Sequence, residues 1–154
     1  MKTNRFTIFL SLIGTIFILS CGLNENPPYD LKFVHIMSNN ASELTVSDKA
    51  NTVGTYNVYL SSKEIKEEVN VTYEIIIGNG LKDNVDYKIL TTGNTLTFLP
   101  GIYDMPIRIQ WLPNPIDPSK DNTIRIKLVS SDQSCNVGLP GPDKKQSEFT
   151  IKKI

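Results

Sequence analysis

Val69-Asn70-Val71-Thr72-Tyr73-Glu74-Ile75-Ile76-Ile77 is the stretch that decides the fold. Successive side chains of an extended chain point to opposite faces, so Val69, Val71, Tyr73, Ile75 and Ile77 share one face. Asn70, Thr72 and Glu74 occupy the other. Gly78-Asn79-Gly80 then stops the run with a strong turn signal. A strand that is apolar on one face and polar on the other belongs to an antiparallel sheet with one face buried.

The same alternation recurs on both sides of this stretch. Ile124, Ile126 and Leu128 alternate with Arg125 and Lys127, and Ile107, Ile109 and Trp111 with Arg108 and Gln110. Tyr56, Val58 and Leu60 form another such set, as do Phe149 and Ile151. Shorter candidates are 31–37, 86–90 and 95–99. No segment of about ten residues or more carries a helical period. Ser62-Lys63-Glu64-Ile65-Lys66-Glu67-Glu68 comes nearest and has room for one helical turn, but it reads as a charged loop between strands. About seven to nine short strands predict an all-β protein, an immunoglobulin-like antiparallel β-sandwich spanning 31–154 as one domain. Pro113, Pro115 and Pro118, and the run Gly138-Leu139-Pro140-Gly141-Pro142, mark stiff connections that exclude central strands.

The N-terminus has a different character. Met1-Lys2-Thr3-Asn4-Arg5 is followed by an uncharged run from Phe6 to Ser20, then by Cys21-Gly22. A basic start, an apolar stretch of about fifteen residues and a small residue before the cut describe a secretory signal. Its ending at Cys21 resembles the lipobox of bacterial lipoproteins. The resemblance implies that 1–20 is removed, that Cys21 is acylated and that 21–30 is a short polar tether. A transmembrane span needs about 20 apolar residues, more than this run supplies. The expected address is the bacterial cell envelope, on the outer membrane because Gly22 brings no acidic retention signal. Only Glu25 is acidic just behind the Cys, so the periplasmic and surface faces both stay open.

Charge excludes one class of partner. The whole chain carries 16 Lys and Arg against 16 Asp and Glu, and loss of 1–20 takes Lys2 and Arg5 with it. That near-neutral balance, without a basic cluster, gives nucleic acid no electrostatic footprint. If Cys21 is acylated, the second cysteine, Cys135, has no disulfide partner. Cys135 then reads as a small buried apolar residue rather than a reactive thiol, because no base or cation stands near it in sequence.

The middle of the chain resembles the Calx-beta type of immunoglobulin-like sandwich. Asp86-Tyr87, Leu96-Thr97-Phe98-Leu99-Pro100-Gly101, the strand 107–111, Asp117 and the strand 123–128 follow in that family's order. Small lipoproteins of Bacteroidetes commonly carry such a domain, often among polysaccharide-uptake components. The resemblance implies a loop closed by Asp86 and Tyr87 and a turn at Gly101. Calcium, which some members bind, needs several converging carboxylates. Here Asp117 and Asp121 are joined by Asn122-Thr123 where an acid is usual, so no metal and no cofactor are expected.

No catalytic constellation is legible. The chain has one His, His35, which reads as a strand residue with an ordinary partner, and no phosphate-binding glycine loop leads into a helix. A non-catalytic accessory or binding protein is the expectation, held to the membrane by its lipid. The partner is a glycan, as in polysaccharide uptake, or another envelope protein docking on a sheet edge. Trp111 has two readings. It could stack a sugar ring beside a Pro-rich loop, with Tyr103, Asp104 and Asn114 completing the site and Tyr29 and Tyr59 extending it. Its alternation with Ile107 and Ile109 instead points it into the core, where a sandwich commonly keeps one Trp.

Overall fold

Residues 30–154 are described by the structure, a computed structural model. The signal segment 1–20, Cys21 and the tether through Tyr29 lie outside the described residues. Ten strands follow in order: β1 Phe33–Ile36, β2 Glu43–Val46, β3 Val53–Ser61, β4 Val69–Ile77 and β5 Tyr87–Ile89. The remainder are β6 Thr95–Phe98, β7 Asp104–Trp111, β8 Thr123–Ser131, β9 Asn136–Val137 and β10 Glu148–Lys153. Two five-stranded sheets result, ordered β5-β7-β3-β1-β9 and β2-β10-β8-β4-β6. The all-β sandwich expected from the alternation is therefore present, with β4 at the bounds of the opening stretch.

Two features depart from the expectation. The count is ten rather than seven to nine, because β2 is four residues long and β9 two, too short for a period to stand out. Both sit at sheet edges, and both still pack apolar side chains, Leu44, Val46 and Val137, against the core. Two pairings are also parallel rather than antiparallel: β1 with β9, and β2 with β10. Each joins an early strand to a late one across a long connection, as parallel pairing requires.

The inward faces are those the pattern assigned. Val69, Val71, Tyr73, Ile107, Ile109, Ile124, Ile126, Leu128, Phe149 and Ile151 are buried. Between Thr72 and Tyr73 the β4–β8 register slips by one residue, so Val129 is extra on β8 and faces water at 51 % exposure. The slip lets Tyr73 oppose Leu128 and keeps both in the core.

Trp111 lies in that core at 1 % exposure. Its indole Nε1–H donates to the Tyr56 hydroxyl at 2.8 Å, and the Tyr56 ring lies 5.8 Å from Phe149 of the facing sheet. Gly54 makes the first contact possible. A Cβ at that position would collide with the Tyr56 hydroxyl, so the missing side chain leaves the lane along which Tyr56 reaches the indole. Ser62–Glu68 is a loop, as its charge suggested, but it buries Ile65 at its centre.

Candidate functional site

β7 runs the length of the sandwich, and its two ends define the two poles. At one pole stand Asp30, the 62–68 loop, Tyr103 and the turn that precedes β7. At the other stand the 78–86 loop, the 112–122 loop and the end of β10. Loops presented by a rigid scaffold are where binding residues concentrate, and the loops of this second pole are held by a dense set of hydrogen bonds.

Its centre is an ion pair. Lys153 on β10 is 0 % exposed, and its ammonium donates to Asp86 Oδ1 at 2.9 Å and to the Leu112 carbonyl at 2.9 Å. The Asp86 carboxylate also accepts from Asn114 Nδ2 at 3.0 Å and from the Lys82 N–H at 2.9 Å. Burial alone would raise the Asp86 carboxyl pKa. The bonds from Asn114, Lys153 and the Lys82 amide, with the Lys153 charge, outweigh burial and hold it below its ordinary value. A buried charge is tolerable when partners of this quality surround it. The network fastens β10 of one sheet to the loops flanking β5 and β7 of the other.

The neighbouring loops are tied down with equal care. Gly80 N–H donates to the Asp121 carbonyl, Asn79 accepts from the Asp121 amide, and the Asn122 side chain donates to the carbonyls of Asp117 and Lys120. Gly78 and Gly80 lie so close to Asp121 and Asn122 that a Cβ on either would collide with them. Asp117 accepts from the Ser119 amide and hydroxyl, and Asp121 does the same for Thr123. These acids serve their own loops. Among the described residues no group of three or more His, Cys, Asp or Glu converges.

The four residues expected to share a ligand site do not come together. Trp111 is covered on all sides, so it has no face free for stacking and that assignment is withdrawn. Asn114 belongs to the Asp86 network, and its amide Nδ2 is already committed. Tyr103 and Asp104 stand at the opposite pole, about 23 Å away along β7 at roughly 3.3 Å per residue. Tyr103 is half-buried, its hydroxyl accepting from the Ile65 N–H at 3.3 Å, while Asp104 is exposed beside Tyr59. Tyr29 lies outside the described residues.

His35 departs from expectation in a different way. It is a strand residue, but its Nδ1 has no partner among the described residues and its ring is flanked by Phe33 at 5.4 Å and Tyr59 at 5.5 Å. Burial pushes its pKa below the usual value. Cys135 is buried, and burial raises its thiol pKa, the reverse of an activated nucleophile.

Alternation could have exposed Lys153. It follows Phe149 and Ile151 in the same phase, so the pattern that buries those two also buries Lys153. Its acidic partner, 67 residues earlier, leaves no comparable trace.

No family model matches the sequence, and no curated protein matches it either. Among solved structures, the crystal structure of CBD12 from CALX1.2, a Calx-beta structure, is similar with a TM-score of 0.57 and 16 % identity. The match covers 79 % of this chain and 43 % of that one, so the chain spans less than half its length. The likeness establishes a Calx-beta-like, immunoglobulin-like sandwich.

Proposed function

We propose that the protein is a lipid-anchored, non-catalytic module of the bacterial envelope that presents its Asp86 pole to a protein partner. The single observation that carries this reading is the buried Lys153–Asp86–Asn114 network, which ties the presented loops to β10. Loops already held in one shape lose little freedom on binding, so more of the contact energy reaches the affinity. Asp30, where the described residues begin, stands at the opposite pole. A photo-crosslinking side chain at Ile116 or Lys82 is expected to give a defined adduct in intact envelopes, while one at Lys127, on the outer face of β8, gives none. Equal labelling from all three positions would count against the reading.

A second reading has its own observation. Half-buried Phe33 and Tyr59 flank the buried His35 on the first sheet, with Asp104 opposite Tyr59. A glycan could stack there in place of the buried Trp111. Retarded migration of the domain in polysaccharide gels, abolished by Tyr59→Ala, is the expected result. No retardation across a broad panel sinks it.

A further inference from the structure

The tether pole carries an apolar turn. Leu99-Pro100-Gly101-Ile102 links β6 to β7, closed by the Ile102 amide donating to the Leu99 carbonyl, with Gly101 at φ +85°. Leu99 is 53 % exposed and Ile102 42 %, and Pro100 and Gly101 are also exposed. Pro100 and Gly101 are ordinary residues for the centre of a turn, and the unusual feature is the exposed Leu99 and Ile102 that flank them. The turns at 39–40, 117–120 and 131–134 of this chain present polar side chains to water, and 99–102 presents none.

The turn and the tether attach to the same loop. Asp30 accepts from Lys63 at 2.8 Å, Ile65 of that loop donates its N–H to the Tyr103 hydroxyl, and the Leu60 amide donates to the Tyr103 carbonyl. The point where the chain enters and the 99–102 tip are thus parts of one end. From Cys21 to Asp30 the chain takes nine steps, so its reach is about 30 Å even when fully extended. A bilayer holding Cys21 must lie within that distance of this pole.

We propose that the Leu99–Ile102 turn dips into the interfacial layer of the membrane that holds Cys21, standing the sandwich on end with its Asp86 pole outward. The inference rests on the lipidation reading above. The leash keeps lipid within reach of this tip, and apolar contact is the attraction. Glu64, Glu67, Glu68, Asp104 and Asp132 outnumber Lys32, Lys63 and Lys66 around this pole, so anionic headgroups are not its target. An inserted tip also adds a second, weak hold to the acyl chains.

The test uses the lipidated full chain carrying Cys135→Ala, in vesicles of phosphatidylcholine, with one added cysteine at Leu99→Cys or, for comparison, at Lys82→Cys. Reaction with a water-soluble maleimide is timed against the same variants made non-lipidated by Cys21→Ser. Slowing on the order of tenfold at position 99 on vesicles, with none at position 82, is the expected result. Ile102→Cys supplies a second reading of the tip should Leu99→Cys melt early. Flotation with vesicles but unchanged reactivity at 99 and 102 overturns the insertion and leaves the anchor standing. Equal slowing at 82 overturns it as well, since the sandwich would then lie on its side. A mature chain without acyl mass, or Cys21→Ser floating as well as the parent, removes the anchor and the inference with it.

Discussion

The two poles of this sandwich are each fastened by a lysine–aspartate pair of nearly the same length. Lys153–Asp86 measures 2.9 Å and Lys63–Asp30 2.8 Å. Their surroundings differ completely: the side chains of the first pair are 0 % and 3 % exposed, those of the second 64 % and 61 %. Water around Lys63 and Asp30 screens their attraction and solvates either partner left alone, so such a pair is worth about 0–1 kcal/mol. Inside the Asp86 pole no water can take over, and removal of one partner strands a charge at a cost of about 3–5 kcal/mol. Distance describes the contact, and burial decides what breaking it does.

The largest test of this contrast is Asp86→Leu, expected to lower unfolding free energy by about 3–5 kcal/mol in urea denaturation. Asp86→Leu with Lys153→Met should recover much of that loss, because no lone charge remains. Single and double variants of equal stability would mean that the pair is solvated after all.

Acid breaks the contrast more gently. A carboxylate whose pKa is lowered by folding stabilises the protein above its unfolded value, ordinarily near 3.8, and that stability is lost as pH falls through the lowered folded value. His35 acts earlier. Burial lowers its pKa from 6.5, so the unfolded chain takes up the proton first and stability declines as pH drops below about 6.5. Thermal melts across pH 3–8 should therefore show two steps of loss, and His35→Phe should erase only the upper one.

Smaller effects are expected at the tether pole. Tyr103→Phe removes the acceptor of the half-buried Ile65 amide and should cost about 1 kcal/mol. Lys63→Ala should cost less than about 0.5 kcal/mol, and 1 M salt should abolish the difference from the parent. A Lys63→Ala loss rivalling that of Asp86→Leu would end the comparison.

What was legible in the sequence follows from what alternation can report. β3, β4, β7, β8 and β10 each bury one face against the other sheet, and the period of two shows them. β2 and β9 are edge strands too short to display a period, although Leu44, Val46 and Val137 pack against the core. Trp111 carried both of its readings in one pattern, and the phase it shares with Ile107 and Ile109 proved the better guide. Tyr103, Asp104 and Asn114 were grouped by nearness in sequence to Trp111, but the extended β7 puts its ends at opposite poles. Asp86 and Lys153 meet only through the fold, so only the odd phase of Lys153 hinted at them.

The parallel pairs have a consequence for the order of events during synthesis. β2 finds its hydrogen-bonding partner only when 150–153 emerge, and β1 waits for 136–137 on its open edge. Lys153 closes the Asp86 pole later still than almost any other contact. The central pairs β3–β7 and β4–β8 are complete once residue 131 has emerged, so the sheet edges and the Asp86 pole close last in a chain made N-terminus first. The stitching of early strands to late ones makes the last stretch of chain, 136–153, the part that seals both sheets.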